Sequence, residues 1–241
     1  MAAYGERIYE GKAKILYKTS RGTLVHFFKD FATAFNAQKK QEFEGKGAAN
    51  LKISSMIFEY LKRTGIRVHF LKLIDERSFE SEALTMLPVE VVVRNILAGS
   101  LAKRLQEKEG LPLHPPLVEF YYKSDEKGDP LVSDDILIAL YKQSPADLKT
   151  LKEMALKTNE ALKKLFDRAG LILADFKLEF GKTASGEIIL ADEVSPDTCR
   201  LWDKVSGEKL DKDRFRFDLG DLMTGYRQVC ARVEAALKEV A

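Results

Sequence analysis

Residues 171–182 read LILADFKLEFGK, and their alternation sets the fold reading. In an extended chain successive side chains point to opposite faces. Asp175, Lys177 and Glu179 therefore share one face, and Phe176, Leu178 and Phe180 the other. The apolar trio predicts a strand backed by core. The charged trio fits either a solvated face with a local ion pair or the wall of a cleft. A second apolar run, GEIILADEV, follows after KTAS, so the two stretches predict a hairpin. Asp192 and Glu193 end that second strand and point to opposite faces. One of them should join the charged face, and register decides which. Carboxylates beside a lysine would hold a hard cation and a phosphate together, since Mg2+ takes one or two carboxylates plus phosphate oxygens and water.

Long helices flank this hairpin. Ser144-Pro145 is a start signal, an N-cap followed by proline in the first turn. Leu148, Leu151, Ala155, Thr158, Leu162, Leu165 and Ala169 keep helical spacing up to Gly170. Leu219, Leu222, Tyr226, Val229, Val233 and Leu237 repeat that pattern near the C-terminus. Further upstream the chain is strand-rich, with expected strands at 7–10, 14–18, 23–29, 67–74, 81–86 and 89–94. A helix is expected at about 50–64, stopped by Gly65, and another from Ser100 as cap to about Glu109. Strand-rich and helix-rich parts segregate, which predicts the α+β class with a boundary near Pro88, giving lobes of residues 1–87 and 88–241.

The bulk composition narrows the function. Across 241 residues, 39 basic and 37 acidic side chains leave a net charge of +2. That is no electrostatic footprint for nucleic acid. No apolar run approaches the roughly 18–20 residues that span a bilayer, and the charged start MAAYGERIYEGKAK lacks the apolar stretch of a secretory signal. Cys199 and Cys230 are too few for a disulfide framework, and His26, His69 and His114 are scattered. The expectation is a cytoplasmic protein without nucleic-acid or membrane partners and without a zinc site.

Four other stretches carry possible chemistry. In YEGKAKILYK, residues 9–18, Gly11 permits close backbone approach, and Lys12 and Lys14 on one strand face would suit a polyphosphate. A solvated hairpin edge explains the same residues. In FEGKGAANLK, residues 43–52, Gly45-Lys46-Gly47 is either a plain helix start or an anion site. In VEVVVRNILAGSLAKR, residues 89–104, Arg94 and Ser100 would face one anion, or Ser100 only caps and Arg94 pairs structurally. SPDTCRLWD, residues 195–203, and DKDRFRFDLGD, residues 211–221, add Arg200, Arg214 and Arg216, which would suit a phosphate-bearing substrate. Cys199 has no histidine near it in sequence to activate it as a nucleophile.

Taken in order, YEGKAKILYKT, FKDFATAFNAQKK with the following GKG, PVEVVVRNILAGSLAKR, DFKLEFG, LADEVSPDTCRLWD and DKDRFRFDLGD resemble the SAICAR synthetase family over residues 8–228. The resemblance implies an ATP-grasp-like, two-lobe fold with an antiparallel-sheet N-terminal lobe and a larger α+β C-terminal lobe. It implies ligation of CAIR, 5-amino-1-(5-phospho-D-ribosyl)imidazole-4-carboxylate, to L-aspartate, with ATP and Mg2+, in purine biosynthesis by a homodimer. By position, Gly11, Lys12, Ala13 and Lys14 look like the ATP phosphate loop, with Leu84 and Met86 at adenine and Lys123 and Asp129 on a further site loop. Glu179 and Asp192 look like the Mg2+ ligands. Arg94, Ser100 and Arg200 look like CAIR contacts. Lys177 looks like the residue bridging the CAIR carboxylate and the γ-phosphate, and Asp175 like the residue that orders it. Phe31 stands where relatives commonly carry an acid, and Gly128 where many carry histidine. Another ATP-grasp-like carboxylate–amine ligase is the alternative.

Overall fold

The computed structural model describes residues 4–34 and 38–239. Residues 35–37 of the FKDFATAFNAQKK motif lie outside that range. The elements are β1 (Glu6–Glu10), β2 (Lys14–Lys18), β3 (Leu24–Phe28), β4 (Phe31–Ala34), β5 (Lys39–Glu42), α1 (Lys46–Arg63), β6 (Phe70–Asp75), β7 (Ser78–Ser81), β8 (Thr85–Ile96) and α2 (Gly99–Leu105). Then follow β9 (Pro112–Tyr122), β10 (Leu131–Val132), α3 (Asp134–Ala139), α4 (Pro145–Arg168), β11 (Leu171–Lys182), β12 (Ile188–Ala191), β13 (Cys199–Asp203), α5 (Asp213–Arg216) and α6 (Leu222–Lys238).

Among the described residues the strands form a smaller sheet, β1-β2-β3-β7-β6, a larger one, β10-β9-β8-β11-β12 with β13 also on β11, and the β4–β5 hairpin. Every strand ladder is antiparallel, and a lone parallel bridge joins Val68 to Leu190. The mixed class read from the sequence holds, with antiparallel sheets in both halves of the chain. Phe176, Leu178 and Phe180 are buried against α4, together with Val89, Val91 and Val93 of β8. Each such side chain contributes roughly 1.5–3 kcal/mol by leaving water. Helix α1 packs on β3, β6 and α6. One continuous core runs from Phe28 and Phe79 through Leu165 to Val233.

Several boundaries differ from the sequence reading, each for a local reason. β8 runs unbroken through Pro88, which stands where the β8–β11 register slips between Glu179 and Gly181. A bulge is where a strand tolerates a residue without N–H. β9 was not expected, because Pro112, Pro115 and Pro116 argue against a strand. Its neighbour β10 covers only Phe120 and Tyr121, so the prolines occupy the half of β9 beyond that ladder. Helix α1 begins at Lys46, with Gly45 in the left-handed region at φ 80° and the Asp30 carboxylate accepting from Gly47 N (2.8 Å). That carboxylate satisfies a first-turn N–H, so GKG is a helix start. Ser144 caps α4 as expected, accepting from Asp147 N. Ser100 caps nothing: Ala98 is the N-cap of α2, and the helix ends at Leu105. No helix of the described residues is long and apolar enough to cross a membrane.

Candidate active site

β11 changes partner halfway along. Its first half pairs with β13, from Leu171 to Phe176, and its second half with β12, from Glu179 to Lys182. β8 covers its other edge from Asp175 to Lys182. Lys177 sits at the seam, where its backbone N–H donates to Thr198 O (2.8 Å). The charged face of β11 opens there into a cavity of about 1020 Å3. Asp175, Lys177 and Glu179 all line it, so the alternation of residues 173–181 marks a cleft wall.

Lys177 Nζ donates to Glu179 Oε1 (2.6 Å) and Glu90 Oε1 (2.9 Å) and lies 3.9 Å from Asp192 Oδ2. Lys123 bonds the other Glu179 oxygen. Lys14 bonds Asp192 and lies 3.0 Å from Glu193 Oε1. Both acids of Ala191-Asp192-Glu193 therefore enter the cleft, where alternation predicted one. The reason is Asp192 itself, at φ 59°, a left-handed conformation that ends the strand alternation. Burial opposes charging of Lys177, but Glu179, Asp192 and Glu90 outweigh it and hold its pKa well above the ordinary lysine value. Burial likewise opposes ionisation of Asp192, and Lys14 and Lys177 overcome it, so its carboxyl lies below the usual range. Glu179 is also lowered, with burial outweighed by Lys177 and Lys123. Glu90 is raised, because burial there exceeds the pull of Lys177.

A second cluster lies at the other end of β11. Arg94, 2% exposed, donates to Glu119 Oε2 (2.7 Å), Asp175 Oδ2 (2.8 Å), Ser100 Oγ (2.9 Å) and Tyr121 OH (3.0 Å). Arg200 donates from Nη1 to both Asp175 oxygens (3.0 and 2.8 Å) and from Nε to Asp213 Oδ2 (2.9 Å). Asp175 thus pairs with two arginines rather than with Lys177. Its strand register places it opposite Arg94 on β8 and Arg200 on β13. Gly99, at φ 54°, lets Arg200 in, since a Cβ there would come within 2.3 Å of the guanidinium. Arg216 lines the cleft and donates to Asp213 Oδ1 (2.6 Å). Arg214 does not line it. Its guanidinium turns to Asp221 O (2.9 Å) and to Glu208.

Gly11, Lys12 and Ala13 form the turn between β1 and β2, so Lys12 and Lys14 do not share a strand, yet both reach the cleft. Lys29 Nζ fastens the turn through Gly11 O (3.0 Å) and Glu10 Oε1 (2.8 Å). Asp129, at φ 48°, accepts from Ser124 N (2.8 Å), and its loop also borders the cleft. An adjoining cavity of about 340 Å3 is lined by Leu16, Leu24, Leu84 and Met86, and it shares Lys14, Lys123, Glu179 and Asp192 with the larger one. A flat apolar group would fit there with a polyphosphate reaching the lysines. Gly181 backs this slot, and a Cβ on it would meet Leu84 Cβ at 2.7 Å. Gly181→Ala is expected to push Leu84 into the slot at a cost of about 1–3 kcal/mol. Thermal melting should show that cost as a lowered melting temperature, whereas an unchanged melting temperature would mean that Leu84 gives way freely.

The family model for SAICAR synthetase matches residues 7–233. The chain belongs to the SAICAR synthetase family. A phosphoribosylaminoimidazole-succinocarboxamide synthase of Halalkalibacterium halodurans is 52% identical over 228 residues, 94% of this chain and 96% of the relative. The crystal structure of the Ehrlichia chaffeensis synthase superposes with a TM-score of 0.93 at 43% identity, covering 95% of this chain and 99% of that one. A SAICAR synthetase in complex with ADP matches with a TM-score of 0.91 at 47% identity, covering 93% of this chain and 96% of that one.

In this SAICAR synthetase family member, several cleft residues escaped the sequence reading. Glu90 had a usable signal, since it alternates with Val89 and Val91 on the face that carries Arg94. Asp197 and Lys212 line the cleft, and Lys46 and Tyr226 bond Asp197; these meet only through tertiary packing, although Lys46 stands in the Gly45-Lys46-Gly47 stretch read as a possible anion site. Lys46 is 1% exposed and pairs with Asp197, which also accepts from Tyr226 OH. Cys199 lines the cleft, but burial pushes its thiol far above the ordinary cysteine value, which opposes a thiolate nucleophile.

Proposed function

We propose that the chain joins the carboxylate of CAIR to the amine of L-aspartate while ATP becomes ADP and phosphate, forming SAICAR in purine biosynthesis. The observation that carries this reading is Lys177 at the β11 seam. It sits among Glu90, Glu179 and Asp192, between a glycine-lysine turn and an arginine cluster. The 47% identical synthetase complexed with ADP supports nucleotide use, and the glycine-lysine turn is the side this reading assigns to it.

A carboxylate is a poor electrophile. Phosphorylation by ATP makes it an acyl phosphate, which an amine attacks with release of phosphate. The protein must then position two anions and offset their charge, and needs no covalent nucleophile. Lys12 and Lys14 hold the phosphates, the Leu84–Met86 side (residues 84–86) receives the base, and Lys123 closes over both. Lys177 lies where the γ-phosphate and the acceptor carboxylate meet. Arg200 and Ser100 pin the phosphoribosyl part, with Arg94 and Asp175 holding them in place.

The donor set suits a hard cation. Glu179 is buried and Asp192 half-buried, both are depressed in pKa and offer only oxygen, and substrate phosphates and water would complete the shell. Bound there, Mg2+ would neutralise charge on the transferring phosphate. The proposal extends to an ATP-grasp-like, two-lobe arrangement about Pro88, with the nucleotide under the smaller sheet. It also includes a cytoplasmic homodimer with no nucleic-acid or membrane partner.

ADP release measured with CAIR alone, aspartate alone and both together tests the reading. Full turnover is expected only with both. Equal ADP release without either acceptor would sink it, and a stable phosphorylated product without amide would point to a kinase.

A further inference from the structure

The loop between β9 and β10 carries Lys123 and Asp129 to the cleft, and what holds that loop has no part in the scheme above. It is closed on itself at its neck. Ser124 N donates to Asp129 Oδ1 (2.8 Å), and Asp129 N and Lys127 N donate to Ser124 O (3.1 and 3.0 Å). The strand side is fixed as well, with Tyr122 N donating to Pro130 O (3.0 Å) and Lys123 N to Pro88 O (3.0 Å). These bonds shape the loop, but none of them ties its outer arch, residues 125–128, to the rest of the protein.

Two aromatic rings supply that seat. Tyr122, at the end of β9, stacks on Tyr141, just beyond α3, with ring centroids 3.6 Å apart and planes inclined by 18°. Both residues are half-buried and pack against the main core. The exposed Lys127 folds its ammonium back onto both rings, 5.3 Å from the Tyr141 centroid and 5.7 Å from that of Tyr122. A cation over an aromatic face is held by the ring quadrupole. Among the described residues Lys127 forms no ion pair with a carboxylate, so the rings are its anchorage. Tyr141 is itself moored. Gln143 Nε2 donates to its carbonyl (2.9 Å), and Lys152 of α4 pairs with Asp134 at the start of α3 (2.7 Å). The contacts therefore run from α4 through α3 to the site loop.

Lys123 is where this bears on binding. Its side chain is 47% exposed, its ammonium bonds one Glu179 oxygen, and it borders both the large cavity and the base slot. A half-exposed lysine has several rotamers open to it and loses that freedom when it engages a ligand. Its backbone is set by the loop neck, one residue away. We propose that Lys127, clamped on the Tyr122–Tyr141 pair, is a positioning residue that presets Lys123 for the nucleotide phosphates. Preorganisation lowers the ordering cost of binding, so the clamp acts on nucleotide affinity rather than on the chemical step. The inference rests on the ligase reading only in placing a nucleotide beside Lys123.

Calorimetric titration of the intact protein with ADP tests it. Lys127→Met should weaken ADP binding about five- to tenfold, the worth of two exposed cation–π contacts. Tyr141→Leu should do the same although it leaves every charge in place. Tyr141→Phe and Lys127→Arg keep the ring and the cation, and should stay within about twofold of the parent. A double-mutant cycle decides the route. In a Lys123→Met background the Lys127→Met change should add nothing, because the clamp acts through Lys123. Additive losses, or a loss in Lys127→Met that Tyr141→Leu does not share, would make Lys127 a long-range charge acting by itself. Unchanged affinity in Lys127→Met would leave the clamp without a role. Each of these results overturns the inference. Tyr141 packs on the core, so its variants are checked by thermal melting. If Tyr141→Leu does not fold, Lys127→Met lies on the surface, and its cycle carries the test. An unaltered protein that binds ADP but releases none from ATP with CAIR and aspartate would reject the ligase reading and leave the clamp standing. One that binds no ADP would reject both.

Discussion

Lys177→Ala is expected to lower kcat roughly a thousandfold, the scale seen when one preorganised donor at a developing charge is removed. Two effects act together. On the proposed reading, the ammonium that would meet both the γ-phosphate and the acceptor carboxylate is lost. Glu90, Glu179 and Asp192 then face the incoming phosphates without their shared cation. The fold should persist. Glu179 keeps Lys123 and Asp192 keeps Lys14, while Glu90, already raised by burial, takes up a proton more readily. Phe176 and Leu178 remain in the core on the opposite face. ADP release with both acceptors present, together with a thermal melt, decides the matter. A kcat within tenfold of the parent at an unchanged melting temperature would remove Lys177 from the chemistry.

Asp175→Asn should act on stability and on one substrate. The carboxylate, 3% exposed, neutralises two arginines that are themselves largely buried. Removing one partner of a buried ion pair leaves charge uncompensated and costs about 3 kcal/mol. Arg94 retains Glu119 and Arg200 retains Asp213, which keeps the loss near that figure rather than above it. Denaturant unfolding should show the destabilisation. On the proposed reading KM for CAIR should rise at least about tenfold, because Arg200 loses Asp175 directly and Ser100 is affected through Arg94, while KM for ATP stays near the parent value. Equal increases for ATP and CAIR would mean that Asp175 serves the phosphate-transfer centre instead of the arginine end.

These two residues show where sequence and structure divide. Lys177 and Asp175 lie two apart on one strand, and alternation alone puts them on one face. Apart from Glu179, two residues along from Lys177, their partners come from other elements and differ completely: Glu90 and Asp192 for one, Arg94 and Arg200 for the other. Asp175 is still paired with β13, whereas Lys177 stands in the gap after Phe176 and before β12 takes over at Glu179. That exchange is invisible to a period-two pattern, because either neighbour satisfies the same backbone groups.

By itself the sequence determined the two faces of residues 173–181, the long helices α4 and α6, the mixed class and, through its ordered motifs, the family. Those properties follow from local periodicity, capping chemistry and residue identity. Tertiary structure alone decided that both Asp192 and Glu193 reach Lys14, because a single left-handed residue turned the strand end. It also decided that Asp175 serves arginines, that β9 forms despite three prolines, and that Lys46 meets Asp197 across 151 positions of chain. Pairings of that kind depend on register and on which buried charges find each other, and both are set only when the core closes.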